Sequence, residues 1–148
     1  MRPLALKGRE QAPAVGKALA EAKLQPSTVY VSAAVRTLQT WKGLSRTLAC
    51  DTDMAQVRED LYEASVQDVV DLIHGVPSSS RCLLVVGHEP TMAATAAYFA
   101  GPQSKAPALA QVRVGLPTAG WAVLESGSSW DTWERGNALL ESVSRAKV

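Results

Sequence analysis

The chain has 148 residues, of which 47% are hydrophobic and 20% charged, and its formal net charge is +1. This length fits one domain over residues 1–148 that buries a core without metal or disulfide. The balanced charge gives no basic field for nucleic acid, and no apolar run reaches the roughly 20 residues of a membrane span. We therefore expect a globular protein that needs no cofactor and binds neither nucleic acid nor membrane.

The two cysteines, Cys50 and Cys82, form no CxxC pair, and the first residues lack the apolar segment of a secretory signal. Reduced structural thiols and a cytoplasmic location are expected, and a disulfide between the two thiols is the alternative. The chain has two histidines and no spacing typical of metal ligands, so we expect no metal site.

The N-terminal part of the chain predicts a helix followed by a strand. Residues 9–24 are rich in alanine, which favours a helix. Pro13 is best tolerated in a first turn, so this helix is expected to begin near Ala12 or to be irregular before it. The β-branched run at residues 28–32 (TVYVS) predicts a short strand.

Two further helices are predicted in the middle of the chain. Apolar side chains recur every three or four residues over residues 35–48, which indicates a helix with one face on the core. Ser65, followed three residues later by Asp68, resembles a capping box and predicts the start of a third helix. Gly75 lies where a glycine commonly ends a helix.

A buried strand and a fourth helix follow. The run CLLVV at residues 82–86 is apolar without interruption, which favours a strand covered on both faces. Pro90 fits the first position of a helix that extends to about Ala100. The segment 101–107 (GPQSKAP) predicts a long loop.

The C-terminal third predicts strands at residues 112–114 and 121–125 and a short edge strand at residues 130–133. The tail from Gly136 is weakly amphipathic and predicts no definite element. The alternation of strands and helices indicates an α/β domain with a largely parallel sheet. Because ligands of such sheets bind beyond the carboxyl ends of the strands, the residues after the two main strands are the candidates for a site.

Arg36 and His88 follow these strands. Arg36 lies in the first turn of the second helix, where a cation is unfavourable unless an anion binds at the same helix end. His88 would change charge near neutral pH. A solvated arginine and a hydrogen-bonded turn histidine are the alternatives. Each residue follows the carboxyl end of a strand, and if the two converge on one crevice they form an oxyanion site suited to phosphate.

Five segments resemble, in order, the histidine phosphatase superfamily, which includes the phosphoglycerate mutases. Residues 31–40 (VSAAVRTLQT) resemble its second-arginine box, and residues 84–90 (LVVGHEP) resemble its second-histidine box. Three segments are similar to the short SixA-type phosphohistidine phosphatases: residues 2–12 (RPLALKGREQA), 61–65 (LYEAS) and 117–124 (PTAGWAVL). The resemblance implies a three-layer α/β/α, phosphoglycerate mutase-like fold with a mostly parallel central sheet.

The resemblance also implies phosphoryl transfer, in which a histidine attacks phosphorus and water then releases phosphate. By match, Arg36 is a phosphate-binding arginine, His88 is the second histidine, and Arg2 is a further arginine that borders the phosphate site. Positioned cations stabilise the transferred oxygens and leave little covalent work to the protein. Glu63 is the acid we nominate to protonate the leaving group, and a surface glutamate is the alternative.

The chain departs from the family at the nucleophile. The family's attacking histidine lies in an Arg-His-Gly box at the end of its first strand, upstream of the segment that matches residues 2–12. This sequence contains no Arg-His-Gly. His74 ends the third helix, where it most simply stabilises the helix terminus. The resemblance therefore implies that the first strand is missing from this chain, which leaves unpaired backbone groups and an apolar slot in the sheet.

Three explanations are compatible with this departure: a true start further upstream, a truncation, or a protein that lacks the box altogether. We favour the first two, because the remaining phosphate-site matches are intact. The expected activity is that of a SixA-like phosphatase acting on a phosphohistidine protein or a small phosphoester. The alternative is an inactive anion-binding or interaction module of the same fold, and the sequence predicts no oligomeric state.

Overall fold

The computed structural model of the protein describes residues 6–146, and that range contains five helices and five strands. The helices are α1 (Leu6–Glu21), α2 (Val35–Thr47), α3 (Val66–His74), α4 (Thr91–Phe99) and α5 (Ala106–Val114). The strands are β1 (Thr28–Ser32), β2 (Ala55–Arg58), β3 (Leu83–Val86), β4 (Gly120–Glu125) and β5 (Leu139–Arg145). Among these helices, none combines the length and apolar character that crossing a bilayer requires.

The strands form a parallel three-stranded sheet in the order β2-β1-β3 and a separate antiparallel pair, β4-β5. The central strand β1 is buried along its whole length. Val29 and Val31 pack into one core cluster with side chains of α1 and α2. Tyr30, which points the other way, packs into a second cluster with α3 and Phe99 of α4. Helices therefore cover both faces of the parallel sheet, which confirms the predicted α/β class.

Helix α1 begins at Leu6, so the prediction that it begins near Ala12 is wrong. Pro13 lies inside the helix and removes one backbone hydrogen bond. Contacts with α2 offset this loss. The Thr47 hydroxyl donates to the Pro13 carbonyl at 2.6 Å, and Gly43 presents no side chain where Ala12 and Pro13 approach. Packing between the two helices outweighs the local preference of proline.

Helix α3 is the element that follows most directly from its own residues. The Ser65 hydroxyl accepts from the Asp68 backbone N–H at 3.1 Å, and the Asp68 carboxylate accepts from the Ser65 N–H at 2.9 Å. This reciprocal pair is a capping box. Gly75 stands at the C-cap. Both predicted ends of the helix are confirmed.

The strand predicted at residues 112–114 is wrong, because these residues form the last turn of α5. Pro107 occupies the first turn of that helix, where its missing N–H costs nothing, so the predicted loop ends earlier than expected. Val112 is buried against Ala96 and Leu140. A valine-rich triplet has the composition of a strand, but tertiary contacts hold it as a helix.

The edge strand predicted at residues 130–133 is also wrong. Residues Trp130–Thr132 form a 3-10 turn. The Trp130 ring stacks on Trp133 at 5.2 Å between centroids, and its indole N–H donates to the Ser80 carbonyl at 2.7 Å. The tail, for which no element was predicted, forms β5, and β2 was not predicted either. Strand β2 has only partly buried or exposed side chains, so it carries no apolar signal.

Two terminal strands, one from each sheet, pack against the same core clusters, and each has an edge with no paired strand among residues 6–146. Strand β3 ends the parallel sheet and β4 ends the antiparallel pair. Leu84 of β3 and Trp121 of β4 pack against the same cluster on one side of the sheet. Val85 and Leu124 pack against the cluster on the other side. Within residues 6–146 no strand pairs with either free edge, which agrees with the interrupted sheet that the resemblance implies.

Candidate functional site

The candidate site lies at the carboxyl ends of β1 and β3, which are neighbours in the parallel sheet. Val31 pairs with Val86, so the segments that follow these two residues leave the sheet side by side. Arg36 extends from the first turn of α2, two residues beyond Ala34, its N-cap. His88 follows β3 by two residues. Strand register thus brings together two side chains 52 positions apart in the sequence.

The side chains of Arg36 and His88 are in direct contact. Arg36 Nη2 lies 3.0 Å from His88 Nδ1. The other ring nitrogen, Nε2, lies 2.7 Å from the hydroxyl of Ser32. The ring of Tyr62 approaches the imidazole edge-on, with 5.9 Å between centroids. The imidazole is therefore fixed from three elements of the fold.

His88 is poised to respond to negative charge. Partial burial, and secondly the neighbouring Arg36 guanidinium, hold the pKa of the imidazole below its ordinary value of 6.5. The ring is therefore neutral at pH 7. A bound dianion would oppose both causes and raise the pKa.

The turn between β1 and α2 is held by its own hydrogen bonds. The Thr37 hydroxyl lies 2.8 Å from the carbonyl oxygens of both Ser32 and Ala34. Ala34 provides no side-chain cap to α2. The first N–H groups of this 13-residue helix therefore donate no hydrogen bond to the N-cap side chain. Free N–H groups at a helix N-terminus can bind an anion.

Glu89 braces the other side of the site, a role that the sequence did not reveal. One carboxylate oxygen accepts from the backbone N–H of Ala93 at 3.0 Å, and the other accepts from that of Leu116 at 2.8 Å. Glu89 thus ties the turn that carries His88 to α4 and to the segment before β4. Its side chain is a support of the site, and its charge is already hydrogen-bonded.

Sequence reasoning also missed Ser32 and Tyr62 as site residues, although both lie within segments that resemble the family. A signal for Ser32 exists in the sequence, since it is the last residue of a buried strand. Tyr62 has no such signal. Its position depends on the 3-10 turn Glu59–Leu61 that follows β2.

Among the described residues, the predicted site residue Glu63 takes no part in this contact. Glu63 is exposed, one residue beyond Tyr62, and within residues 6–146 no hydrogen bond or ion pair joins it to Arg36 or His88. Arg2 lies outside the residues that the structure describes. His74 donates from Nε2 to the Trp133 carbonyl at 2.6 Å, which gives it a structural place at the end of α3.

A second arginine lies at the end of a neighbouring strand, but its guanidinium is already paired with a carboxylate. Arg58 ends β2, and its guanidinium donates to both carboxylate oxygens of Asp60, at 3.0 and 2.7 Å. This pairing raises the pKa of Arg58 and lowers that of Asp60. The charge of Arg58 is balanced locally, whereas the guanidinium of Arg36 points at an imidazole.

Three other nucleophilic side chains of the described residues do not fit this site: Ser32, Cys50 and Cys82. Ser32 is 0% exposed, so its hydroxyl is closed to a substrate. Cys82 immediately precedes β3, which places it at the opposite end of the strand from His88. Cys50 accepts a hydrogen bond from the side chain of Gln25 at 3.1 Å. Both cysteines are free thiols, as expected, and burial raises the pKa of each.

Arg36 and His88 are both half-buried, so each keeps some contact with solvent. A cavity of about 650 Å³ is lined by the loop after α4 and by the ends of β4 and β5, and one of about 510 Å³ lies beside Tyr30 and Arg58. Neither is lined by Arg36 or His88. Because Arg36 and His88 are partly exposed, an anion can reach their contact from solvent.

Comparison with known proteins gives a family match over the first half of the chain. Residues 2–76 match the family described as the histidine phosphatase superfamily (branch 1). An uncharacterised protein of Mycobacterium tuberculosis is 36% identical over 140 residues, which cover 94% of this chain and 85% of that protein. An uncharacterised protein of Mycobacterium leprae is 32% identical over 82 residues, covering 55% of this chain and 51% of that protein.

Solved structures show the same fold. A protein of Nakamurella multipartitia, provisionally assigned as the phosphohistidine phosphatase SixA, superposes with a TM-score of 0.83 at 26% identity. The match covers 99% of this chain and 86% of that one. The protein histidine phosphatase SixA in complex with tungstate matches with a TM-score of 0.77 at 20% identity, covering 98% of this chain and 85% of that one.

Proposed function

Because the chain belongs to the histidine phosphatase superfamily (branch 1), we propose that it provides the phosphate-binding site of a SixA-like phosphatase. The proposed substrates are phosphohistidine in a protein or a small phosphoester, hydrolysed through a phosphohistidine intermediate. The observation that carries the proposal is the 3.0 Å contact between Arg36 Nη2 and His88 Nδ1 at the carboxyl end of the sheet.

The two side chains supply the charge that phosphoryl transfer requires. The planar guanidinium of Arg36 can bind two oxygens of a phosphoryl group at once. His88 donates a second hydrogen bond from Nδ1 once that nitrogen is protonated. Catalysis of this type is mostly positioning and charge stabilisation, so a fixed pair of donors is a large part of the machinery.

Two further roles belong to the proposal. Arg2, by its match to the SixA-type segment, adds a cation beside the phosphate. Glu63 protonates the leaving group, and its exposed place next to Tyr62 leaves it free to meet a bulky substrate. The partly exposed site suits a phosphorylated side chain that projects from another protein. The assignment of the Nakamurella multipartitia protein supports phosphohistidine as the substrate class.

The proposal requires an attacking histidine, and no histidine of these 148 residues matches the family's nucleophile. The sequence has two histidines; His74 donates to a backbone carbonyl, and His88 matches the second histidine. The second candidate function, which holds if the whole protein has no Arg-His-Gly box, is an inactive anion-binding or interaction module of the same fold. The two candidates share the anion site and differ in turnover.

A phosphatase assay on two chain lengths tests the proposal. The 148-residue chain should release little or no phosphate from an aryl phosphate or from a phosphohistidine protein. A version extended through the upstream coding sequence should turn over if that sequence supplies an in-frame Arg-His-Gly. In the extended version Arg36→Ala should lower kcat/KM by roughly 10²–10³-fold, because one oxyanion donor is lost. Arg46→Ala, in the exposed last turn of the same helix, is the control and should change it little.

The outcomes separate the two functions. An extended chain that contains Arg-His-Gly but is inactive would favour the inactive module. Enzyme-like turnover by the 148-residue chain alone would overturn the role given to His88 and point to that residue as the nucleophile.

A further inference from the structure

The hydrogen bonds around His88 fix the position of its ring proton. A guanidinium has donors and no acceptor, so Arg36 Nη2 can only donate to His88 Nδ1 across the 3.0 Å contact. Nδ1 must then carry a lone pair. The neutral ring therefore carries its proton on Nε2, which donates to the Ser32 hydroxyl oxygen at 2.7 Å. The structure thus contains one defined tautomer, stabilised from both sides.

We propose that Ser32 is a positioning residue: it holds the Nε2–H of His88, so that the proton taken up when a phosphate-like anion binds enters at Nδ1, the nitrogen that faces Arg36. The inference rests on the anion site of the proposed function and assigns the residue that orients its imidazole. One proton moves from solvent to Nδ1 for each anion bound. No bond to Nε2 is broken, and Ser32 accepts from Nε2 before and after.

The backbone of Ser32 is held firmly enough for this role. The residue is 0% exposed and pairs with Arg58 in the sheet. Its carbonyl accepts from the Thr37 hydroxyl at 2.8 Å, and the next residue, Ala33, donates its N–H to the Arg58 carbonyl at 3.1 Å. The Ser32 side chain has no route to solvent. Its oxygen is therefore a fixed acceptor at the end of a central strand.

The neighbours of the imidazole explain why a hydroxyl suits this position. The groups that face the ring are Arg36 from α2, Ser32 from β1 and Tyr62 from the turn after β2, and Glu89 adjoins it along the chain. The Glu89 carboxylate is occupied by the N–H groups of Ala93 and Leu116. A carboxylate in place of Ser32 would add a charge that competes with the anion for the imidazolium, whereas a hydroxyl orients the ring and adds none.

The ring without a bound anion is consistent with this assignment. Burial and the Arg36 charge lower the pKa of His88, so the ring is neutral until an anion arrives. When Arg36 turns from Nδ1 to the anion, Nδ1 becomes available to a proton. The anion then stabilises the imidazolium, which donates from Nδ1 to the anion and from Nε2 to Ser32.

Nitrogen-15 NMR of the histidine rings tests the inference directly. In protein labelled at histidine, the His74→Gln variant leaves His88 as the remaining signal, since the chain has two histidines. Without anion near pH 7.5, the spectrum should show a proton on Nε2 and a lone pair on Nδ1. With saturating sulfate or tungstate near pH 6.5, both nitrogens should be protonated.

Substitution of Ser32 then separates positioning from mere stability. Ser32→Ala should give a mixture of the two neutral tautomers and weaken sulfate binding by about tenfold, the effect of one lost hydrogen bond. Ser32→Thr keeps the hydroxyl and should restore the Nε2–H tautomer. Ser45→Ala is the matched control. Ser45 is 1% exposed and hydrogen-bonded to Thr52, so its loss should leave the His88 tautomer and sulfate affinity unchanged.

Each outcome decides one point. If the wild-type chain binds neither sulfate nor tungstate, the proposed function fails. If it binds them while Ser32→Ala keeps the Nε2–H tautomer and the affinity, the positioning role fails and the anion site stands. Should Ser32→Ala not fold, the wild-type spectrum is sufficient, because an Nδ1–H tautomer without anion would overturn the inference.

Discussion

The neutral imidazole of His88 lies against the guanidinium of Arg36, and an incoming dianion changes the protonation of that imidazole. Before binding, burial and the Arg36 charge lower the pKa of the ring, and its Nδ1 accepts from Arg36. After binding, the negative charge favours the imidazolium. The site should therefore take up a proton together with the anion, so that its affinity depends on pH.

The sign of this dependence is fixed by the direction of the two pKa changes. The pKa of free His88 lies below 6.5, and the bound anion raises it. Between these two values binding consumes a proton, so sulfate affinity should increase as pH falls from 8 towards 6, by at most tenfold per pH unit. Sulfate stays a dianion over this range, and calorimetric titrations at several pH values measure the effect.

The control for this titration is the other histidine. His74→Gln should keep the slope, since His74 donates to the Trp133 carbonyl away from the site. Affinity that stays flat between pH 8 and 6 in the wild-type chain would contradict the proposed coupling.

The helix pair α1 and α2 shows how two elements position one site residue. Gly16 of α1 lies directly against α2, where an added Cβ would overlap the Thr47 hydroxyl and the Leu44 carbonyl. Gly43 of α2 lies equally close to α1, since a Cβ added there would be 2.9 Å from the Cβ of Ala12. The close approach of the two helices fixes the axis of α2 and, with it, the first turn that carries Arg36.

Gly16→Ala should destabilise the fold although alanine is the better helix former. The propensity gain is roughly 1 kcal/mol, whereas overpacking against a backbone carbonyl typically costs about 1–3 kcal/mol and requires α1 to shift. We expect a lower urea midpoint and weaker sulfate binding. Ala20→Gly, at an exposed position of the same helix, is the control and should cost about 1 kcal/mol without affecting sulfate binding. A Gly16→Ala chain more stable than wild type would show that the helices are not in close contact.

At the scale of the whole molecule, the two sheets depend on the same core. Trp121 of β4 packs in the cluster that contains Val29 and Val31, and Leu124 packs in the cluster that contains Tyr30. Neither the parallel sheet nor the antiparallel pair buries its apolar face alone. If residues 1–148 form a single domain, as expected, the two sheets should therefore unfold together in one cooperative transition.

The protein should unfold in urea in one transition, which every tryptophan reports. The chain has four of them, and fluorine NMR of 5-fluorotryptophan protein gives each its own signal, assigned with single Trp→Phe variants. Trp41 reports the cluster beneath α1 and α2, Trp133 the opposite cluster, and Trp121 the antiparallel pair. We expect the same midpoint for all of them. A separate midpoint for Trp121 would instead mean that β4-β5 unfolds as an independent unit.

Local signals explain which elements the sequence predicts. Strand β1 is β-branched, β3 is uniformly apolar, and α3 carries its own caps, so each is specified by its own residues. Strand β2 and helix α5 are decided by neighbours. Strand β2 is stabilised by pairing with β1, and α5 is held by its packing on α4 and β5. Composition reports poorly on elements that are stabilised from outside.

The sequence by itself determined the α/β class and the place of Arg36 and His88 just after the carboxyl ends of two strands, because both depend on local periodicity and on a general rule of parallel sheets. The pairing of these two strands was decided only by the tertiary structure. Only the tertiary structure decided what the two residues contact. The bond from Nε2 to Ser32, the ring of Tyr62 and the support from Glu89 join positions 26 to 56 residues apart. The protonation of an imidazole is set by such partners, and no pattern along the chain records them.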